Sequence, residues 1–515
     1  MNRTTLSLIG AATALAAVTG VASLATPGAA KDTAARTASR LPVERSTLLC
    51  PAPTSSELGR TTYSAFAPQD GAGGRASKGS AELLPAAHVA ENGQADKGKT
   101  DDKAGKNGKD GKNGDAEPVV PLREPGKPVT ASADGAEAPA LSGTADGRLA
   151  PGWTVQQTSE ITAGVGRGLA GTACTPPDTE FWFPGASTAK DRQDYAHLTN
   201  PDDTAAVVDL ELYGKDGAIK APTGEGITIP AHSSVSVLLS TMTSEPTTNV
   251  TVHALARAGR VGASVQSVDA KLGGDWLPAA ADPSADLVLP GIPADATSVR
   301  LVAFATGEDD ADLKVRLTGP NGSISPAGHE TLHVKSRMTA AVDLGDVTKG
   351  EAGSLVLTPT ASGGKTAPVV AALRVTRGKG SKQETAFIPA TGRIETRAAA
   401  VDNRAKGSTL SLVAPGKSAK VKVTASAGSQ GGTPVSKTYT VKGGTTLAVD
   451  PPRPAGLKGG YALTVQPLSG GPVHAARTLA LPQDGIPMFT VQTLPDDRGT
   501  VAVPKAGQDL KMMND

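Results

Sequence analysis

An all-β protein built from three tandem β-sandwich repeats, behind an N-terminal export signal and a disordered insert, is what this sequence predicts. Three observations carry the prediction. First, short runs alternate strictly between apolar and charged residues. Val208, Leu210 and Leu212 are separated by Asp209 and Glu211; Leu313, Val315 and Leu317 by Lys314 and Arg316; Ala419, Val421 and Val423 by Lys420 and Lys422. Period-two alternation puts one face of a strand in a core and the other in water. Second, the runs recur: Gly217, Gly322 and Gly428 follow them at spacings of 105 and 106 residues, and a repeated period means a repeated structural unit. Third, sustained helical periodicity is missing, while 60 Gly and 39 Pro in 515 residues supply frequent turns. Short strands in a unit near 105 residues match an immunoglobulin-like sandwich in size. Aromatics make up only 3% of the chain, so the cores must rest on Val, Leu, Ile and Ala.

The elements follow in chain order. Residues 1–30 read as a signal peptide: Arg3 gives a positive start, Thr4 to Ala30 carries no charge, and Pro27-Gly28-Ala29-Ala30 ends the apolar run in small residues. The run is also long enough to span a bilayer, so a retained anchor is the competing reading. Residues 31–66 join the first repeat. Residues 67–150 read as a disordered low-complexity insert, because they lack aromatics and mix six Lys with six Asp/Glu between Asp96 and Glu117. Such a polyampholyte buries too little apolar surface to offset chain entropy. Repeats are expected over 151–285, 286–384 and 385–500, with a tail at 501–515. Phe183-Pro184, Leu289-Pro290 and Ile388-Pro389 serve as further anchors, each an apolar run stopped by proline. Return strands are expected over Ile227 to Leu239, Glu330 to Leu344 and Lys437 to Val449.

Cys50 and Cys174 bracket the insert, and an even cysteine count in an exported chain favours a disulfide between them. Two thiols alone do not make a metal site.

The string Leu198-Thr199-Asn200-Pro201, then Val207 through Gly217, then Ile229-Pro230-Ala231-His232-Ser233-Ser234, resembles a repeat of exported bacterial proteins. The layout as a whole resembles secreted actinobacterial proteins classed as a domain of unknown function, with tandem immunoglobulin-like sandwiches. That resemblance implies an extracellular, non-enzymatic module and brings no catalytic residues with it.

Several motifs could carry chemistry. His329-Glu330-Thr331-Leu332-His333 matches the zinc-peptidase pattern, whose two imidazoles must share one helix face. Here the segment occupies a return-strand position, where the two rings would stand about 13 Å apart. Ser187-Thr188-Ala189-Lys190 matches the acyl-transfer S-x-x-K pattern but follows a Pro-Gly strand end rather than opening a helix. Neither motif is expected to act. Trp182, in Phe181-Trp182-Phe183, is the candidate ligand-binding residue, offering a stacking face to a sugar if exposed and covering a repeat junction if not. Trp153 and Trp276 sit near repeat edges as packing residues. No cofactor is expected.

The functional expectation is an exported, non-catalytic protein of the cell envelope or extracellular space, wall-associated or free, with a structural or interaction role. The alternatives are a glycan-binding module at the cell wall and a zinc-dependent hydrolase using His329, Glu330 and His333. Cell-wall polysaccharide or another envelope protein is the partner expected. No membrane span is expected in the mature protein. A net charge of +1 gives no bulk field for nucleic acid or an acidic polymer.

Overall fold

The computed structural model describes residues 39–69, 78–89, 117–360 and 367–503. The expected signal peptide lies outside them. So does 90–116, the most charged stretch of the expected insert. Ser39–Pro42 pairs antiparallel with Thr500–Val503 in a two-stranded ribbon of its own. That ribbon occupies the first part of the expected C-terminal tail. Val43–Gly499 forms the second unit, and its described residues are all-β, with three-residue 3₁₀ turns as their only helical elements.

Four sandwiches make up this unit, one more than the periodicity predicts. Each has seven principal strands, divided in the same way between two sheets. In chain order, strands one, five and three form one sheet, with five in the middle. Strands four, two, six and seven form the other, in that spatial order. The second sandwich shows the pattern. Glu180–Ala186, Val250–Ala258 and Ala206–Gly214 line up in one sheet, and Ser233–Leu238, Arg192–Thr199, Gly262–Asp269 and Gly273–Leu277 in the other. The third spans Leu287–Ile292 to Glu384–Pro389, and the fourth Ala398–Asn403 to Phe489–Thr493. This order corrects the immunoglobulin-like expectation, because there the first strand lies beside the second, whereas here it lies beside the fifth.

The additional sandwich comes first in the chain and uses residues expected to be disordered. Ala81–Pro85 is its third strand, Val129–Asp134 its fourth and Leu141–Asp146 its fifth. Leu83, Val120, Leu122 and Leu141 are buried with Tyr63 and Trp153 in its core. Much of 67–150 is therefore sandwich. Low aromatic content hid it, because a thin sheet pair needs only an aliphatic residue at every second position. The short strand Ala87–Val89, after the third strand, leaves the first sandwich and pairs in parallel with Ser233–Val235 of the second.

Each expected return strand is in fact two strands. Ile227–Ile229, Thr331–Val334 and Val435–Val441 pair with the third strand of their sandwich. The chain then crosses to the opposite sheet and becomes the fourth strand. The crossing uses a left-handed residue each time: His232 (φ 51°), Arg337 (φ 53°) and Gly444 (φ 70°).

The four sandwiches close on each other. The seventh strands, Gly168–Ala173, Gly273–Leu277, Glu384–Pro389 and Phe489–Thr493, each pack against the next, and the last packs against the first. Likewise the first strand of each sandwich packs on the sixth strand of its successor, and Ala398–Asn403 of the fourth packs on Thr154–Ile161 of the first. The result is a ring with pseudo-fourfold order and a filled centre. Hydroxyls tie the seams in a repeated way. Thr339 donates to the Tyr213 carbonyl at 2.7 Å between the second and third sandwiches, and Thr446 donates to the Thr318 carbonyl at 2.6 Å between the third and fourth.

Candidate functional site

Cys50 and Cys174 form the expected disulfide. Cys50 ends the first strand of the first sandwich and Cys174 follows its seventh. Around them Leu49 N–H donates to the Thr175 carbonyl at 2.8 Å and Thr175 N–H returns the bond at 3.0 Å. The second and third sandwiches make the corresponding clasp with backbone alone: Ala280 N–H to the Trp182 carbonyl at 2.9 Å, and Thr391 N–H to Val288 at 3.0 Å. The disulfide thus makes covalent a clasp that recurs around the ring.

Trp182 offers no free ring face, which corrects its reading as a ligand platform. It is 8% exposed. His253 stacks on it at 3.7 Å with 7° between the planes, and Phe304 of the third sandwich lies 5.4 Å away. With Tyr213, Phe304 and Val370 it fills the seam between the second and third sandwiches. Its indole N–H donates to Glu180 at 3.2 Å. His253 faces two carboxylates, Glu211 at Nδ1 (2.9 Å) and Glu180 at Nε2 (3.1 Å). Glu211 also accepts from Tyr213 at 2.7 Å, and Arg337 of the third sandwich donates to the same hydroxyl at 2.9 Å. Burial and the Glu211 carboxylate together push the Tyr213 hydroxyl up to about 12. Trp153 and Trp276 are likewise buried.

The two sequence motifs are dispersed by the fold. His333 lies on the short strand Thr331–Val334, while His329 and Glu330 precede it. Glu330 accepts from Gly328 N–H at 3.0 Å, and His333 reaches Asp312 at 2.8 Å. Among the described residues no group of three His, Cys, Asp or Glu could hold a metal ion. Ser187 is fully buried; its hydroxyl donates to the Thr247 carbonyl at 3.3 Å and accepts from Ala189 N–H at 3.1 Å, a local turn. Lys190 is exposed.

The ring centre holds two carboxylates that the sequence did not single out. Asp275 lies on the seventh strand of the second sandwich and Glu384 on that of the third. Asp275 Oδ1 accepts from Gly171 N–H at 3.0 Å and from the Thr490 hydroxyl at 3.2 Å, joining three sandwiches. Glu384 Oε1 accepts from Leu169 N–H at 2.8 Å and Phe489 N–H at 3.3 Å, again joining three. Burial raises Asp275 well above the usual carboxylate range and lifts Glu384 to about 7. In sequence each is a lone acid beside an apolar strand, and only the closure of the ring reveals the pair.

Elsewhere, a cleft of about 1110 Å³ lies beside the seam of the second and third sandwiches. Its walls are the turn after the third strand, the segment Thr241–Asn249, and Thr339 and Ala341. Thr241, Thr243, Ser244, Thr247 and Thr248 line it with hydroxyls, beside Lys215, Lys220, Asp216 and Glu245. This lining can hydrogen-bond a polar ligand. It contains no His or Cys and no aromatic stacking surface.

Among the described residues no helix is long and apolar enough to cross a membrane. No curated protein and no solved structure matches the chain. One family model does, over residues 129–452, from the fourth strand of the first sandwich into the fourth sandwich. With well over half of its length inside that match, the chain belongs to the family of unknown function DUF5719.

Proposed function

We propose that the protein is an exported, non-catalytic component of the cell envelope or extracellular space, with a structural or interaction role. The closed ring carries this reading. Its strands converge on a filled centre, and its loops and outer sheet faces are left as surface for partners. Export is supported by the Cys50–Cys174 disulfide, since such bonds persist in oxidising compartments. It is also supported by the uncharged run from Thr4 to Ala30. The experiment is N-terminal mapping by mass spectrometry on protein from culture medium and wall fractions. A mature chain beginning near Lys31 with an oxidised cysteine pair is the expected result. A cytosolic, full-length, reduced protein would contradict it. Peptide or ester hydrolysis lost on substituting Ser187 or His329 would contradict the non-catalytic half.

A second reading, glycan binding, is favoured by the hydroxyl-lined cleft rather than by Trp182. Retention on cell-wall polysaccharide, weakened by T243A/T248A, is its expected signature.

A further inference from the structure

The near-zero net charge of the whole chain conceals a strong asymmetry around the ring. Residues 398–494, the fourth sandwich, contain ten Lys and Arg against three Asp and no Glu. Residues 178–280, the second, contain thirteen Asp and Glu against seven Lys and Arg.

The two excesses differ in kind. In the second sandwich the acids are largely satisfied within it. Asp209 pairs with Arg257, Asp202 with Arg260 (3.0 Å), Asp203 with His232 (2.7 Å), Asp194 with Arg192 (2.5 Å), and Glu180 and Glu211 with His253. In the fourth sandwich Arg477 is buried on the opposite sheet and Arg404 pairs with Asp402, but Lys417, Lys420, Lys422, Lys437 and Lys442 are exposed and cluster on the third strand and the strand and turns beside it. Lys420 and Lys422 point outward from its third strand, alternating with buried Ala419, Val421 and Val423. Opposite them on the neighbouring strands stand Thr440 and Thr438 on one side, Ser469 and Gln466 on the other. Lys417 and Lys442 join the same edge. Gly443 N–H donates to the Ser418 hydroxyl at 2.9 Å and so brings the two turns together. Lys437 stands at the rim, 4.8 Å over the Tyr439 ring. Among the described residues no carboxylate pairs with any of these lysines. Of the sandwich's acids, Asp402 is buried against Arg404 at 2.7 Å, and Asp484 lies in the turn before the seventh strand. Asp450 follows the fourth strand, Thr445–Val449.

We infer that the outer sheet face carrying Lys417, Lys420, Lys422 and Lys442 is a docking surface for a linear polyanion. The alternating lysines stand about 7 Å apart along the strand, from the rise per residue. They therefore meet the recurring charges of an extended chain, while Ser436, Thr438 and Thr440 add hydroxyl donors. Tyr439 and Tyr461, the aromatic residues of these strands, are both buried, so the face lacks the stacking platforms on which single-stranded nucleic acids depend. A second copy of the chain is the poorer occupant, because the acidic sandwich spends its carboxylates on its own cations. The inference goes beyond the export reading and does not depend on it, since the face is the same wherever the protein resides.

The test is fluorescence anisotropy on the full chain with two labelled probes, long-chain inorganic polyphosphate and polygalacturonate. Phosphatidylglycerol vesicles serve as the third arm. Binding is expected to at least one polymer at low salt. Its logarithmic salt slope should be about −3, as four contacted charges release counterions. The double variant K420E/K422E should bind at least tenfold more weakly with an unchanged unfolding temperature. K314E/R316E, at the corresponding positions of the third sandwich, should change binding less than twofold. Whichever polymer binds identifies the anionic group as phosphate or carboxylate. Failure of both polymers, salt-independent binding, equal loss in both variants, or binding to vesicles alone would overturn the inference.

Discussion

At the scale of single residues, the two carboxylates at the ring centre make the sharpest claim. Glu384 is held near 7 by burial, against an unfolded value of about 4.5, so between those two values the folded state keeps a proton that the unfolded state has released. Stability is then fully present below about pH 4.5 and declines as pH rises to about 7, by roughly 3 kcal/mol for this group alone. Asp275 is raised for the same reason and adds a loss of the same sign. In E384Q that part of the decline disappears. Denaturation midpoints measured from pH 4 to 8 should show the variant gaining on the wild type as pH rises. The disulfide gives a second expectation at this scale. It closes 124 positions of chain, and C50S/C174S should lower unfolding free energy by about 3–5 kcal/mol in urea titrations. Both cysteines were legible from their number and setting, because a covalent pair needs no topology to be suspected. The carboxylate pair was not, since its members are 109 positions apart and meet only when the ring closes.

Elements reveal where period and composition succeed and where they mislead. The third strands were readable in three sandwiches: alternation is a local property, and each strand has one face in the core and one outside. The proline anchors fared less well. Pro184 and Pro290 lie on first strands, but Pro389 ends the seventh strand of the third sandwich. Its apolar run resembles theirs because both kinds of strand are buried on two faces by the ring. The first sandwich escaped notice because 43 positions separate its third and fourth strands, Pro85 and Val129, and the charged stretch between them dominates the local composition. Trp182 shows the limit of reading a single residue: whether an amphipathic ring covers a seam or meets a ligand depends on the neighbouring sandwich. W182A should cost about 3–5 kcal/mol as a buried aromatic truncation. It should also speed hydrogen exchange in Ala296–Ala305, the strand carrying Phe304, while leaving polysaccharide retention unchanged. At the centre, a Cβ on Gly171 would lie 2.6 Å from Thr490 Cγ2. G171A should therefore force the seventh strands of the first and fourth sandwiches apart, at about 1–3 kcal/mol, measured by thermal unfolding.

For the whole molecule, summing charge over the chain conceals what the sandwiches keep separate. A net charge of +1 averages over sandwiches as unlike as the acidic second and the basic fourth, and the basic face becomes visible only when residues are grouped by the sheets they share. The all-β class was legible throughout. The number of sandwiches, their strand order and their closure were not, because they are set by pairings between residues a hundred or more positions apart. Closure is the claim on which the seams, the buried carboxylates and the outward faces all depend. Small-angle X-ray scattering of residues 43–499 tests it most directly. A closed ring of this length should have a radius of gyration of about 23 Å, whereas four sandwiches strung in line would give a value well above about 35 Å and contradict the account.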